Sequence, residues 1–281
     1  MQKLGLELLF HIVGIGSASG LFFNGNSLFL ISDNSNMLYE YSIATQTLEK
    51  VPLTGKDYTG PMENVPKKEK ADFESITTKG DELYLFGSGS GENRNKIFRY
   101  NTQTKDTATA IDISGVYLAM QSFAQIDEEN FNIEAAVNDG DTWYAFQRGN
   151  GPKGENGIFT LTGDFNDLTF QILYNKIKLP KIKGARATFT DAVKVGNKLY
   201  FIAAAEKSNS TYLDGEIAGT LVGRIDIETV KVDFTEIISY KNKFEGITFY
   251  KDDGKTLEFL LCEDTDSDAK ESDIYKLTLK K

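Results

Sequence analysis

Cysteine, histidine, tryptophan and proline are all scarce: the 281 residues hold one Cys, one His, one Trp and 5 Pro. One cysteine excludes a disulfide within the chain, and Cys262, in the apolar run Leu257–Cys262, reads as a packed core thiol. One histidine, His11, excludes a multi-histidine metal site, and it excludes a Ser-His-Asp triad elsewhere in the fold. Positive charge is also short, with 31 Lys and Arg against 41 Asp and Glu and a formal net charge of -10. No nucleic-acid partner and no anionic membrane surface is therefore expected, because either would need a basic face. A basic local pocket stays open. No apolar run is long enough to span a bilayer: the one at Leu4–Ile15 is short and is interrupted by Glu7 and His11.

That N-terminal run admits two readings. Leu4, Leu6, Leu8 and Phe10 alternate with Gly5, Glu7, Leu9 and His11, which predicts a strand. The run also follows Lys3 and precedes Ser17-Ala18-Ser19, the outline of a cleaved leader. A cytoplasmic protein is expected on the first reading and an exported one on the second.

What the chain has in quantity is aromatic and strand-forming: 13 Tyr and 19 Phe. It is also repetitive. Five anchors, Ser19-Gly20-Leu21, Glu74-Ser75-Ile76, Glu134-Ala135-Ala136, Asp191-Ala192-Val193 and Glu245-Gly246-Ile247, are separated by 55, 60, 57 and 54 residues. A short strand follows each anchor, and then a turn holding Gly25, Gly80, Gly140, Gly196 or Gly254, each beside an Asn or Asp. Next come a second apolar strand, a polar loop, a third strand such as Lys96–Tyr100, and a weaker fourth such as Thr107–Ile113. Such periodicity predicts an all-β, five-bladed β-propeller of four-stranded blades, spanning 1–281 as one domain. The last repeat holds only three strands, so the N-terminal strand Leu4–His11 is expected to supply its fourth and remove the open edge. A short helix is expected within Gly115–Ile126. The chain is expected to be a monomer.

In this architecture the start of each first strand and the loop between strands two and three face one mouth of the central channel. Glu74, Glu134, Asp191 and Glu245, with the Ser19 hydroxyl, are then expected to converge there. Four carboxylates on one axis repel unless compensated. A hard cation, Ca2+ or Mg2+, would compensate them. So would ion pairs, and Lys70, Arg186 and Lys243 lie shortly before three of the anchors. Around the rim, Arg94 and Arg148 carry guanidinium forks suited to phosphate or carboxylate. Arg148 follows Glu134 by 14 residues, and the same offset from Glu74 reaches Ser88, in the loop Gly87-Ser88-Gly89-Ser90-Gly91. Asp264, Asp266 and Asp268 alternate like a calcium loop but lack its glycine, and read as a solvated acidic loop. Trp143 and Tyr144 read as blade core, and Lys67-Lys68-Glu69-Lys70 as a solvated connection.

The strings Gly16-Ser17-Ala18-Ser19-Gly20-Leu21, Asp72-Phe73-Glu74, Gly87-Ser88-Gly89-Ser90, Asn132-Ile133-Glu134, Gln147-Arg148-Gly149-Asn150, Phe189-Thr190-Asp191 and Phe244-Glu245-Gly246-Ile247 resemble an uncharacterised bacterial β-propeller family over essentially the whole chain. A looser similarity is to the calcium-dependent apyrases, with esterase-like phytase and lactonase propellers sharing the acidic central motif. The apyrase resemblance implies a central Ca2+ held at Ser19, Glu74, Glu134 and Glu245, and an arginine segment at Gln147-Arg148 near the substrate. Asp191 departs from the Ser that this resemblance leads one to expect.

Two functional readings follow. In one, the chain is a Ca2+- or Mg2+-dependent hydrolase of a small anionic ester, possible substrates including phosphoesters. Ser19, Glu74, Glu134, Asp191 and Glu245 are then the metal ligands, Glu134 and Arg148 the catalytic pair, and Arg94, Ser88, Lys207 and Asp33 the substrate contacts. In the other, a structural cation or a ring of ion pairs supports a propeller that binds a ligand or partner without chemistry.

Overall fold

The computed structural model describes residues 4–16, 18–55, 57–151, 153–207, 215–265 and 270–281. Glycine-led turns set the strand spacing. At Gly80-Asp81, Gly140-Asp141 and Gly196-Asn197 the flanking residues pair directly, Lys79 with Glu82, Asp139 with Thr142 and Val195 with Lys198. Each loop therefore has two residues, and its glycine has φ between 62° and 67°. Glycine takes that conformation without the steric cost other residues meet, and it matches the twist of the strands.

Five antiparallel meanders result. Blade 1 is Ala18–Phe23, Ser27–Ser32, Met37–Ser42 and Thr47–Pro52; blade 2 is Phe73–Lys79, Glu82–Gly87, Lys96–Asn101 and Thr109–Asp112. Blade 3 is Ile133–Asp139, Thr142–Gln147, Gly157–Asp164 and Thr169–Lys176. Blade 4 is Ala185–Val195, Lys198–Glu206, Ile217–Asp226 and Lys231–Ser239, with the two-residue strand Lys181–Ile182 folded onto its inner strand. Blade 5 is Phe244–Asp252, Thr256–Glu263, Glu271–Lys280 and, on its outside, Leu4–Val13. The expected closure is thus present, with Leu4 opposite Leu279 and Val13 opposite Glu271. The expected helix runs from Ser114 to Ala124 between blades 2 and 3.

The hydrophobic core is five separate cores, one between each pair of adjacent blades. A blade's inner and second strands are covered on both faces, so they read as continuous apolar runs: every residue of Ser27–Ser32 is buried. Outer strands such as Thr47–Pro52 are half-exposed or exposed throughout. Trp143 and Tyr144 are buried, Trp143 against Tyr84 and Phe165 at 5.0 Å, and Cys262 lies in the core between blades 5 and 1. Near the axis the blades approach closely. A Cβ on Gly246 would stand 3.0 Å from Gly20 Cα and 2.7 Å from Cys262 Sγ, so only glycine fits there. Among the described residues no helix is long and apolar enough to cross a membrane.

Candidate functional site

Each innermost strand carries a β-bulge near its start, and the bulges define the ring. The register slips across Ser19, Glu74, Glu134 and Glu245, leaving those four residues unpaired with the second strand. In blade 4 the slip falls between Phe189 and Asp191, so the unpaired residue is Thr190. A bulge re-aims its extra side chain. The ring is therefore Ser19, Glu74, Glu134, Thr190 and Glu245: three carboxylates and two hydroxyls. Asp191, expected as a ring ligand, sits one position further along, the place held by Ser75 in blade 2.

The hydrogen bonds confirm this alignment. Ser19 Oγ donates to the Phe73 carbonyl at 2.5 Å, and Thr190 Oγ1 to the Phe244 carbonyl at 2.8 Å. Both tie a bulge to the residue before the next blade's bulge. One position on, Ser75 Oγ accepts the Ala136 N–H and Asp191 Oδ2 the Ile247 N–H, each at 2.7 Å. Asp191 Oδ1 also accepts the Ala192 N–H at 2.8 Å. Asp191 is a strap between blades 4 and 5. Burial pushes its carboxyl well above the usual range, against the pull of those two N–H groups.

The three ring glutamates sit in a network that circles the mouth. Arg148 places Nη1 3.2 Å from Glu134 Oε2 and 3.8 Å from Glu245 Oε1, and Nη2 3.0 Å from Glu206 Oε1. Lys243 stands 3.2 Å from Glu245, 3.6 Å from Glu206 and 3.3 Å from Asp264. On the opposite side Lys70 bridges Asp33 at 2.5 Å and Asp72 at 2.7 Å, and Arg94 lies 2.6 Å from Asp72. Glu74 has no cation within 4 Å and no side-chain hydrogen bond among the described residues; Glu134, Asp72 and Asp33 face it. Burial, then these neighbours, push its carboxyl well above the usual range. Burial lifts Glu134 to about 7 even though Arg148 opposes the shift. It raises Glu245 too, against Lys243 and Arg148. Both Glu245 oxygens are buried without a hydrogen bond.

The expected anion-binding groups are already engaged. Arg148 is only 7% exposed and belongs to the ring, not to an open rim. Arg94 also donates to Ser90 Oγ at 2.6 Å, and Ser88, fully buried, donates to Asp72 at 2.5 Å. Asp33 is the acid partner of Lys70, and burial raises its pKa. Lys207 pairs with Glu216 at 2.8 Å on the surface. Of the cations placed before the anchors, Lys70 and Lys243 join the network, while Arg186 donates instead to the carbonyls of Gly149 and Gly154. Lys70 is buried, which corrects the solvated reading of the run Lys67–Lys70. Asp266 and Asp268 of the acidic loop, and Ser17, lie outside the described residues.

Sequence reasoning gave no site role to Thr190, Asp72 or Glu206, and Asp264, read as part of a solvated loop, pairs with Lys243 instead. Asp72 has φ 54°, a left-handed conformation that costs a non-glycine residue roughly 1 kcal/mol or more. Its carboxylate is held by Lys70, Arg94 and Ser88. The signal for Thr190 was the apolar residue directly before each bulge, Ala18, Phe73, Ile133, Phe189 or Phe244.

The network bears directly on a central metal. Among the described residues, no three His, Cys, Asp or Glu side chains gather into a group able to hold an ion. Instead the Arg148 Nη1 lies 3.2 Å from Glu134 and 3.8 Å from Glu245. As placed, Glu134 and Glu245 share the Arg148 guanidinium.

Solved structures similar to this chain include three propeller-like proteins at low identity. A glutaminyl cyclase from Myxococcus xanthus has a TM-score of 0.56 and 11% identity, the match covering 98% of this chain and 96% of that one. The aldose sugar dehydrogenase from Streptomyces coelicolor, in its PQQ-bound form, has a TM-score of 0.51 and 11% identity, with 99% of each chain covered. A luciferin-regenerating enzyme has a TM-score of 0.50 and 10% identity, covering 99% of this chain and 97% of that one. Such identities speak to the fold alone. No curated protein matches the sequence. Residues 14–279 match a family described as "Family of unknown function (DUF6929)", and the chain belongs to that family.

Proposed function

We propose that this chain is a ligand-binding propeller whose acidic mouth takes a small cation, with the ion-pair network as the frame of the site. The observation that carries this is the charge balance. Seven acids (Asp33, Asp72, Glu74, Glu134, Glu206, Glu245 and Asp264) share four cations (Lys70, Arg94, Arg148 and Lys243), an excess of three acids, 7 − 4, among the described residues; burial favours the neutral form of Glu74, Glu134 and Glu245, and a cation entering the mouth would displace their protons and draw out that negative charge. Among the described residues Glu74 has no cation within 4 Å, Lys70 and Arg148 acting on it from further off, and its side chain is partly exposed. A mouth of this sign attracts cations and repels a free anionic ester. An alkylammonium group suits it, since it donates up to three hydrogen bonds to carboxylates without needing them to close into a coordination sphere.

The alternative is a Ca2+- or Mg2+-dependent hydrolase of a small anionic (phospho)ester. One observation favours it: all five bulge positions present oxygen, at Ser19, Glu74, Glu134, Thr190 and Glu245. It requires Arg148 to leave the ring.

Calorimetric titration at low salt with butylammonium, 1,4-diaminobutane, CaCl2 and MgCl2 separates the two readings. Binding of the amines, weakened by Glu74→Gln, is expected. If the amines do not bind, while Ca2+ binds and Glu134→Gln abolishes that binding, the metal-centred reading replaces it. A panel of phosphate and carboxylate esters, assayed with and without EDTA, then tests for hydrolysis.

A further inference from the structure

The channel has a second, chemically opposite end. Past the ring the inner strands turn apolar: Leu21, Ile76, Val137, Ala192 and Ile247 are all buried. They form the floor of a cavity of about 390 Å3 at the other end of the same strands. Phe22, Phe23, Thr77, Thr78, Asn138, Lys194 and Phe249 wall it. All five blades contribute, so the cavity is built by the closed propeller and not by one loop.

Its lining specifies a ligand class. The volume falls in the range of about 300–1,000 Å3 common for small-molecule sites, where a mostly apolar wall carries a few polar groups. The charged side chain in the wall, Lys194, is neutralised by Asp139 at 2.7 Å. The hydroxyls of Thr77 and Thr78 make no hydrogen bond among the described residues. Asn138 commits its amide N–H groups to the carbonyls of Gly140 and Thr142, so its Oδ1 is left to accept. Thr248 Oγ1 accepts the Phe23 N–H and keeps its own proton to donate. An occupant thus meets apolar and aromatic side chains and, in about equal measure, uncharged donors and acceptors, but no unpaired charge.

We infer that this lower cavity binds a small uncharged molecule with an apolar, ring-sized body and a hydroxyl or carbonyl group. The site is independent of the acidic mouth: its walls begin beyond the bulges, and none of the ion-pair network lines it.

The test uses the whole chain and three probes of one shape: 1-naphthol, 1-naphthoate and 1-naphthylmethylammonium. Saturation-transfer NMR and calorimetry measure binding, and amide shift changes locate it. Naphthol is expected to bind at least tenfold more tightly than either charged analogue, with shift changes at 76–78, 137–138 and 247–249. Thr78→Trp, at a half-exposed rim position, fills the cavity and is expected to abolish binding at an unchanged melting temperature. Thr77→Val keeps the volume, removes the hydroxyl and is expected to weaken binding several-fold. Glu74→Gln is expected to leave naphthol binding unchanged, so failure here is distinguishable from failure at the mouth. The inference is overturned if naphthol does not bind, if a charged analogue binds as tightly, or if Thr78→Trp, folded as judged by its melting, binds naphthol normally.

Discussion

Replacing Arg148 by alanine tests whether the ring is held by ion pairs. The guanidinium is almost fully buried and lies within 3.0 to 3.8 Å of three carboxylates. Removing one partner of a buried ion pair typically costs about 3–5 kcal/mol, because it strands the other charge away from water. For a chain of this size each kcal/mol moves the melting temperature by roughly 2 °C, so Arg148→Ala is expected to melt roughly 6–10 °C lower at pH 8. The deficit should depend on pH. Burial raises Glu134 from an ordinary value of 4.5 to about 7, and Glu245 moves the same way. An acid whose folded pKa is raised binds its proton more tightly in the folded state. Its stabilising effect is therefore full below about pH 4.5 and is lost as pH rises towards 7. At pH 5 the stranded carboxylates of the variant can be protonated, and the deficit should fall to roughly half or less. Scanning calorimetry of both proteins at pH 8 and pH 5, at matched ionic strength, measures it. A variant that melts like the parent at pH 8, or an equal deficit at both pH values, would refute the ion-pair account.

Three further outcomes are expected. Deleting residues 1–13 strips the outer strand from blade 5 and exposes the edge of Glu271–Lys280, so the truncated chain should aggregate or melt far lower on a thermal ramp with light scattering; melting like the full chain would sink the closure. Asp191→Ala should cost about 1–3 kcal/mol by leaving the Ile247 N–H unsatisfied, whereas Asp191→Asn, which keeps an acceptor, should cost clearly less in urea denaturation. Lys70→Met should destabilise at pH 8, since it strands Asp33 and leaves Arg94 alone to balance Asp72, and equal urea midpoints for variant and parent would contradict the shared role of Lys70.

The blades were legible because each strand is short and punctuated. Gly80, Gly140 and Gly196 mark two-residue turns that nothing distant can override, and the apolar alternation of Leu4–Phe10 announced the closing strand. The ring was legible only in part. In blade 4 the motif Phe189-Thr190-Asp191 contains an acid, and a search keyed on acids stops at Asp191; the register slip that picks Thr190 is a property of two paired strands and cannot be seen in one. The roles of the cations were hidden for a similar reason. Arg148 and Glu206 are 58 residues apart, and Lys70 and Asp33 are 37. A local reading sees each as a charged surface residue. Only the assembled mouth shows that burial forces them to pair.

The hydrogen-bonded partnership of Leu4–Val13 with Glu271–Lys280 has a kinetic meaning. It joins strands 262 residues apart at His11 and Asp273, so the ring cannot close until both have been synthesised, and the loop it closes encloses the other four blades. Blades 1 to 4 consist of strands contiguous in sequence and can form in order, while blade 5 waits for its partner. The pairing of Leu4 with Leu279 also brings these distant positions side by side. Joining the two ends through a short linker and opening the chain at the exposed Gly80-Asp81 turn would give a permuted sequence with every sheet intact and a different strand left to fasten the ring.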